Sequence, residues 1–582
     1  MEQRWGLPLI AWPSRLRPNA WDLVALPMVL GALALIAWGG WATTARYEIG
    51  QSLPLSLDPA YLPQYALRTV LRMAAALVAS LIFTLGYAAL AAKSRRAEKI
   101  LIPALDILQS VPILGFLSIT VTGFLALFPG RLLGVELAAV FAIFTSQAWN
   151  MTFSLYQSLR TVPSELVEAA RLYRLSAWQR FWRLEVPHAV PGLVWNTMMS
   201  VSGGWFFVVA SEAITVSGHT ILLPGIGSYI ATAIDRRDLG AIGWAVLVML
   251  IVILLYDQLL FRPLLAWSRK FAGDPQAEED YARPWFLIVL QRAQVFDLLQ
   301  HGMLAVNRAL DEAIAAATRL RGRRPQGARR MPVSARSLDL AFNALLTGLA
   351  GGGAFWIVRY VLHGVSAGEV GWVFLLGLFT AIRVMVLIAL ASLVWVPVGV
   401  WIGLHPRVAD KAQPIVQFLA AFPANLLFPV AVVAILRFGL DPEIWLSPLM
   451  ILGTQWYILF NVIGGTVGLP PELRLAASNL GVRRWLWWRR VILPAIFPAY
   501  ITGAVTAAGG AWNASIVAEI VQWGHVSLHA TGIGAYISRY TAAGDGARIA
   551  LGIGVLCLYV LAFNRLLWRR LYDMAAERLR LD

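Results

Sequence analysis

Charged side chains inside long apolar runs are the first candidates for chemistry in this sequence. Arg72 and Arg383 each lie early in such a run, and Glu212 and Glu519 each lie near the end of another. Each glutamate follows a tryptophan by seven residues, about two turns of an α-helix, so the two side chains would share one helix face. An ionisable group in an apolar run indicates a solute pathway or a buried ion pair.

Two interpretations of these side chains stay open. In one they line a pathway, where a guanidinium would bind an anion. In the other the arginines pair with the glutamates or extend to the headgroups, and the tryptophans pack against glycines. Because a glutamate repels an anion, the tryptophans are the stronger pathway candidates. Prolines inside apolar runs would kink helices near a pathway or improve packing. The candidate pathway residues are Arg72, Pro112, Trp205, Glu212, Arg383, Pro423, Trp512, Asn513 and Glu519.

Two polar stretches between apolar runs form the second candidate feature. "ELVEAARLYRLSAWQRFWRLEVPHAVPG" begins at Glu165, and "ELRLAASNLGVRRWLWWRRVILPAIFPA" begins at Glu472. A proline just before each glutamate is a helix-start signal. Each predicted helix then carries two adjacent alanines, which would let another surface approach closely. Lipid packing gives no reason for such a helix, so we expect a soluble partner.

The composition indicates a membrane protein. Of 582 residues, 59% are hydrophobic and 14% are charged, whereas soluble domains carry about 25% charged residues. The net charge of +16 does not indicate nucleic-acid binding, because the basic residues lie in short segments between apolar runs. Cys557 is the single cysteine, which excludes a disulfide framework and a thiolate metal site. No histidine spacing indicates a metal site, and no cleavable signal peptide is expected.

Apolar runs of span length predict twelve transmembrane helices, six in each half. The Lys and Arg content of the loops places both termini in the cytoplasm. We expect a first repeat over 1–267, a cytoplasmic linker over 268–337 and a second repeat over 338–582. The predicted spans lie near 21–41, 66–92, 101–128, 133–153, 192–215, 241–262, 340–362, 373–403, 412–436, 448–466, 498–522 and 549–566.

The linker contains an apolar segment, 285–306, with charged and amide side chains at short intervals. This pattern favours an amphipathic helix on the cytoplasmic surface. A thirteenth span here would invert the second half and place its basic loops outside, so we expect twelve spans.

The two halves repeat each other at a constant spacing. Early positions match at 311 residues, and after a net deletion of four residues the later positions match at 307. Six spans per half give both halves the same orientation, related by a pseudo-twofold axis along the membrane normal. We therefore predict an all-α polytopic membrane protein in which one chain supplies both sides of a pathway. The matched pairs include Arg72 with Arg383, Pro112 with Pro423, Glu165 with Glu472, Pro187 with Pro494, Trp205 with Trp512 and Glu212 with Glu519.

The two polar stretches resemble the cytoplasmic signature of permeases of binding-protein-dependent ABC importers: Glu-Ala-Ala, three residues, Gly, nine residues, then Ile-x-Leu-Pro. Each copy departs from it, since Arg174 replaces the glycine in the first and Leu475 replaces the glutamate in the second. By this resemblance, the residues that would couple to an ATPase are Glu165, Glu168, Ala169, Ala170, Arg174 and Pro187 in the first copy, and Glu472, Ala476, Ala477, Gly481 and Pro494 in the second.

The resemblance implies that the segments near 163–175 and 470–482 are coupling helices that fit grooves of two ABC ATPase subunits. "GGWFFVVASEAI" and "GAWNASIVAEIV", each followed by Gly-Ile-Gly-x-Tyr-Ile, look like the nitrate, sulfonate, taurine and bicarbonate group. This implies uptake of a small anion across a bacterial inner membrane, with a substrate-binding protein and one copy of this chain per complex.

The chain has no G-x-x-x-x-G-K-[ST] phosphate loop, so ATP and Mg²⁺ would bind to the ATPase partner. We expect no cofactor, no nucleic-acid partner and no enzyme activity in this chain. A secondary transporter also has two parallel six-span halves, but it requires a membrane-buried ion relay and has no coupling helices. A scaffold or receptor subunit leaves the matched halves unexplained.

Overall fold

The computed structural model describes residues 21–47, 55–216, 219–271, 284–293 and 335–578, and five single residues between 302 and 312. Long apolar helices dominate it, because a bilayer requires every backbone N–H and C=O to be satisfied within the protein. Nine described helices are long and apolar enough to span a membrane, and the number rises to 12 if each of three bent helix pairs forms one span. The prediction of an all-α polytopic membrane protein is confirmed.

The described part of the first half contains eleven α-helices and one hairpin. The helices are α1 (Asp22–Ala42), α2 (Leu62–Lys93), α3 (Arg95–Ser110), α4 (Ile113–Leu127), α5 (Leu132–Arg160), α6 (Ser164–Leu172), α7 (Ala177–Arg180), α8 (Val186–Glu212), α9 (Ile226–Asp235), α10 (Leu239–Tyr256) and α11 (Arg262–Ser268). Strands β1 (Ala213–Val216) and β2 (His219–Leu222) form the hairpin between α8 and α9.

The second half repeats this order. Its helices are α13 (Ala335–Gly364), α14 (Ala367–Gly403), α15 (Pro406–Ala421), α16 (Phe428–Phe438), α17 (Pro442–Trp445), α18 (Gln455–Val467), α19 (Pro471–Asn479), α20 (Arg484–Trp487), α21 (Leu493–Ala518), α22 (Ile533–Ala543), α23 (Gly546–Phe563) and α24 (Arg569–Arg578). Strands β3 (Ile520–Trp523) and β4 (Val526–His529) lie between α21 and α22.

Both third spans are broken where the sequence has a proline. Helices α3 and α4 meet at 96° around Pro112, and α15 meets the helical segment that begins at Ala424 at 75°, just after Pro423. Proline donates no backbone N–H and its ring clashes with the preceding turn, so the chain leaves the helix there. The expected continuous spans over 101–128 and 412–436 are therefore wrong in detail: each consists of two short helices.

The spans predicted over 192–215 and 498–522 end sooner than expected. Helix α8 stops at Glu212 and α21 stops at Ala518, and each is followed by an antiparallel hairpin. The residues beyond are rich in Ile, Val and Thr, which favour strands. A hydropathy window cannot separate such a strand from the end of an apolar helix.

The described residues fall into two compact units. The larger unit includes 43–160, 195–255 and 330–582, and so contains spans from both halves. Within it α2 packs on α5, and α18 packs between α14 and α21. Fully buried side chains such as Met73, Ile143 and Ile463 form its core. The smaller unit includes 1–42, 161–194 and 256–329.

The predicted linker is described only in part. Helix α12 (Trp285–Arg292) covers the start of the predicted amphipathic helix, and the backbone is extended at Ala293. The remainder of that prediction falls almost entirely on residues outside the described ranges.

Candidate functional site

A buried arginine joins three segments of the first half. The Arg72 guanidinium donates to both carboxylate oxygens of Glu136 at 2.6 and 2.8 Å and to Glu212 at 2.7 Å. It also donates to the carbonyl of Pro224 at 3.0 Å. The Arg72 side chain is 4% exposed and that of Glu212 is 0% exposed. The charge of Arg72 is thus satisfied within the protein.

The Glu212 carboxylate also fixes the chain after the first hairpin. It accepts hydrogen bonds from the Thr69 hydroxyl and from the backbone N–H of Gly227, both at 2.7 Å. Thr69 Oγ1 in turn accepts from the N–H of Ile226 at 3.1 Å. A Cβ at Gly225 would overlap the Glu212 carboxylate, so only glycine leaves room for it. This network positions the start of α9 against α2.

The second half repeats the network with Arg383. This guanidinium pairs with Glu443, and it approaches Glu519 at 3.4 Å. Glu519 accepts from Thr380 and from the N–H of Gly534, both at 2.7 Å. A Cβ at Gly532 would overlap the Glu519 carboxylate. The second network is more open, since the Glu443 side chain is 44% exposed while Glu136 is 12% exposed.

Sequence reasoning missed Glu136 and Glu443. They are 307 residues apart, the spacing that relates the other late pairs, so the internal repeat could have found them. Of the two interpretations left open for the arginines, the geometry matches pairing with the glutamates. Placement of Arg72, Glu212, Arg383 and Glu519 along a pathway stays a prediction.

A cavity of about 80 Å³ lies between α8 of the first half and helices of the second half. No charged side chain is among the described residues that line it. The lining residues are Ser202, Gly203, Phe206, Phe207, Ala420, Phe422, Ala424, Leu449, Met450, Gly453, Thr454, Tyr457, Gly510 and Ala514. A cavity needs about 10–15 Å³ of such space to hold a water molecule, so this one has room for a small solute.

The predicted tryptophans belong to α8 and α21, which line this cavity, but the tryptophan side chains do not line it. Trp205 is 1% exposed and Trp512 is 3% exposed, and both are packed in the core. Asn513 instead joins the halves, because its side-chain oxygen accepts from the N–H of Ile113, next to Pro112, at 2.8 Å. The equivalent contact is made by Asn425, which donates to the carbonyl of Phe206 at 3.2 Å. Each broken span thus contacts the long helix of the other half.

The hairpins also join the two halves. Strand β1 contacts α22, and β3 contacts α9. The N–H of Gly524, in the turn between β3 and β4, donates to the carbonyl of Ile234 at 3.0 Å. Each hairpin is therefore held by the helix that follows the other hairpin.

The two predicted coupling segments form short exposed helices, α6 and α19. Glu165, Glu168 and Glu472 are exposed, and of each alanine pair the second member, Ala170 or Ala477, is buried at 5% or 4% exposure. The first members, Ala169 and Ala476, are more accessible. In each helix, the second alanine is therefore on the buried face and the acidic side chains are on the exposed one.

Both short helices end in the same backbone turn. The N–H of Leu175 donates to the carbonyl of Ala170, and that of Val482 donates to Ala477. Gly481 has φ +63°, and Arg174 adopts the same left-handed conformation with φ +52°. The departure of Arg174 from the signature therefore leaves the backbone turn intact, with a side chain that disfavours it.

Pro187 and Pro494 occupy equivalent places near the starts of α8 and α21. Each follows a five-residue π-helical turn, Phe181–Glu185 in the first copy and Trp488–Ile492 in the second. Because a proline donates no N–H to the preceding turn, a wider turn can form there. Among the described residues, no group of three or more His, Cys, Asp or Glu side chains could hold a metal ion.

Comparison with known proteins matches two segments of the chain to one family. Residues 82–261 and 395–572, together more than half of the chain, match the family described as "Binding-protein-dependent transport system inner membrane component". The two matches confirm the predicted internal repeat.

Curated relatives carry the names of several transport permeases. The bicarbonate transport system permease protein of Synechococcus elongatus is 29% identical over 140 residues, 24% of this chain and 49% of that protein. The nitrate import permease protein of Leptolyngbya laminosa is 27% identical over 184 residues, 32% of this chain and 62% of that protein. The glycine betaine/carnitine transport permease protein of Listeria monocytogenes is 30% identical over 169 residues, 29% of this chain and 54% of that protein.

The chain spans about half the length of the first curated relatives it matches. The family match covers more of the chain than these relatives do, because it includes both halves. The two polar stretches, which resemble the cytoplasmic signature of such permeases, agree with it. The chain therefore belongs to the family of binding-protein-dependent transport system inner membrane components, as a fused permease that carries the family domain twice.

Proposed function

We propose that this chain forms the complete membrane pathway of an ATP-driven importer for a small anion. A substrate-binding protein delivers the anion, and two ABC ATPase subunits dock at α6 and α19 and bind ATP and Mg²⁺. One copy of the chain lies in a bacterial inner membrane, with both termini and the 268–337 linker in the cytoplasm. The chain itself then needs no cofactor.

The observation that carries this proposal is the pair of exposed coupling helices. Each shows accessible apolar side chains around its left-handed turn: Leu172 and Tyr173 are 83% and 81% exposed, and Leu480 is 80% exposed. Apolar side chains this exposed on a short polar helix favour a protein partner. Two such helices in one chain favour two partner grooves.

The anionic substrate class rests on different support. Names of relatives include nitrate and bicarbonate, and a fixed acidic side chain is absent from the described lining of the cavity. Both features suit a small anion better than a cation, which would be attracted by a carboxylate.

We expect the first coupling helix to contribute more to docking than the second. Glu168 is exposed and can make a charge-assisted hydrogen bond with a partner, whereas Leu475 at the equivalent place offers only apolar contact.

Substitution of the accessible alanines tests the proposal. Ala169→Arg and Ala476→Arg should block close approach to an ATPase groove, so ATPase association and ATP-dependent uptake should fall while membrane insertion stays normal. The loss should be greater for Ala169→Arg. Co-purification of the ATPase and uptake into proteoliposomes with and without internal ATP measure this. Ala367→Arg, at an exposed helix start, is the matched control.

Normal ATPase binding and uptake in both variants would show that α6 and α19 are not coupling helices. Uptake by the parent complex that follows an ion gradient and ignores ATP would favour a secondary transporter instead.

A further inference from the structure

We infer that the cavity between the halves is a binding site for one small monovalent oxyanion, held by the hydroxyl groups of Tyr457 and Thr454. The inference rests on the proposed importer function and deepens it by naming the substrate class and two of the groups that bind it. Both residues belong to the start of α18 and line the cavity.

Tyr457 supplies a phenol whose hydroxyl has no hydrogen-bond partner among the residues that the structure describes. Its side chain is 7% exposed. Its oxygen would lie 3.2 Å from a Cβ placed at Gly203 on α8, so it reaches across the cavity towards the first half. A ligand in the cavity that accepts a hydrogen bond would give this hydroxyl a partner.

Thr454 supplies the second hydroxyl. Its Oγ1 is buried without a partner in the described part of the chain, and although Thr454 is the N-cap of α18, its side chain makes no capping hydrogen bond, which an N-cap threonine usually makes. Its methyl group presses against Gly510 of α21, where a Cβ would overlap it. Both glycines that keep the cavity open, Gly203 and Gly510, are equivalent positions in the two halves, 307 residues apart.

The donors determine the ligand class. A hydroxyl can donate to an oxyanion oxygen. The remaining lining is mostly aliphatic and aromatic, including Phe206 and Phe207, and the one further hydroxyl, of Ser202, already donates to the carbonyl of Met198 at 2.9 Å. Two neutral donors can replace part of the hydration of a single charge, but they leave a dianion with a large desolvation cost. A transport site must also release its ion, and neutral hydroxyls bind an anion less tightly than a guanidinium would.

The size of the cavity agrees with this class. Its volume of about 80 Å³ suits a small planar anion. A quaternary ammonium in an aromatic cage is the rival ligand, but it would leave both hydroxyls without an acceptor.

The test uses the assembled complex of this chain with its ATPase and binding protein in proteoliposomes, with nitrate as the probe. Tyr457→Phe and Thr454→Val each remove one hydroxyl with little change in shape. Each should reduce the nitrate moved per ATP hydrolysed by about tenfold, since a lost hydrogen bond to a charged group has this effect on affinity. Complex assembly should stay at the parent level.

Tyr87→Phe is the matched control. It removes a hydroxyl that donates to the carbonyl of Leu101 and does not line the cavity, so nitrate moved per ATP should not change. Sulfate in place of nitrate should give no uptake by the parent.

Four results separate this inference from the proposed function. Nitrate uptake that is unchanged in both hydroxyl variants overturns the inference and leaves the importer function standing. ATP-driven uptake of sulfate in preference to nitrate also overturns it and leaves the proposed function standing. ATP-driven uptake of glycine betaine in preference to nitrate overturns both the inference and the anionic substrate class, and leaves only ATP-driven import standing. A parent complex that moves no solute with ATP contradicts both.

Discussion

At the scale of single residues, two buried arginines hold the segments that follow the hairpins. Arg72 and Arg383 each bind the carboxylate that ends a long helix, and that carboxylate binds the backbone of the next helix. The same arrangement in both halves positions the start of the helix after each hairpin. The network of the first half is more buried than that of the second, so the two networks should contribute differently to stability.

Replacing the arginines should destabilise the first half more than the second. Arg72→Gln leaves Glu212 fully buried without its cation, and removal of one partner of a buried pair costs roughly 3–5 kcal/mol. Arg383→Gln should cost less, because Glu443 is 44% exposed and water can solvate it. Thermal unfolding of the purified variants in detergent measures the difference.

Arg437→Gln is the control, since Arg437 is exposed and its loss should leave the unfolding temperature near that of the parent. Equal destabilisation by Arg72→Gln and Arg383→Gln would contradict the difference in burial described here.

Two glycines make room for the carboxylates of these networks. Gly225 has φ −178°, a backbone conformation open to any residue, so its requirement comes from contact with Glu212 alone. Gly225→Ala should therefore lower stability by roughly 1–3 kcal/mol, the usual cost of overpacking. Gly532→Ala should act in the same direction against Glu519.

Gly243→Ala provides the comparison for both glycine variants, because nothing lies within 4 Å of a Cβ built there. It should be neutral or slightly stabilising, since alanine favours a helix more than glycine does. Thermal unfolding of the three variants, measured side by side, tests this prediction. If Gly225→Ala unfolds at the temperature of the parent, a Cβ at this position does not clash with Glu212.

The sequence gives the arginines and glutamates as candidates but not their partners. Side-chain partners depend on which helices become neighbours, and one sequence does not contain that information. The repeat spacing is the exception, because it relates Glu136 to Glu443 without any structure. Tyr457 and Thr454 could not be found this way, since the equivalent first-half positions are Asn150 and Gln147.

At the scale of elements, the short helices α6 and α19 end in the same left-handed turn, and only α19 has the favoured glycine there. Gly481 adopts its left-handed conformation without a steric cost. Arg174 adopts it with a Cβ, and a non-glycine residue in this conformation costs roughly 1–2 kcal/mol. The backbone at the end of α6 is thus locally strained.

Exchanging these two residues should change local stability in opposite directions. Arg174→Gly should stabilise the end of α6, by somewhat less than the strain because glycine also has more freedom in the unfolded chain. Gly481→Arg should destabilise the end of α19 by roughly 1 kcal/mol. Amide hydrogen exchange of residues 164–175 and 471–482 reports each change locally.

The two substitutions serve as controls for one another, because each should leave the other helix unaltered. Slower exchange after Gly481→Arg, or faster exchange after Arg174→Gly, would show that the left-handed turn does not limit these helices.

Helix positions were predicted well where hydropathy is uniform, as in α2, α5 and α14. Hydropathy does not predict the broken spans or the hairpins. A hydropathy average over a window is unchanged by a proline or a short strand, so it does not show where the chain changes direction. Pro112 and Pro423 carry the local signal for the breaks. The angles of 96° and 75° depend on contacts with the opposite half, which no local pattern contains.

At the scale of the whole molecule, the chain carries two copies of one family domain, at 82–261 and 395–572. Contacts between the copies are reciprocal. Each broken span makes a hydrogen bond with the long helix of the other half, α21 or α8. Each hairpin contacts the helix that follows the hairpin of the other half, α22 or α9. The sequence predicts the duplication from the spacing of Gly, Pro and Trp. The copies have diverged in exposure, in their coupling signatures and in the polar groups of the cavity.

We propose that a single chain provides both sides of an importer pathway. Native mass spectrometry of the intact complex, purified with its ATPase, gives the number of copies of this chain. We expect one copy of the 63.9 kDa chain with two ATPase subunits, because the two halves already supply two coupling helices. A complex that contains two copies of this chain would contradict the account.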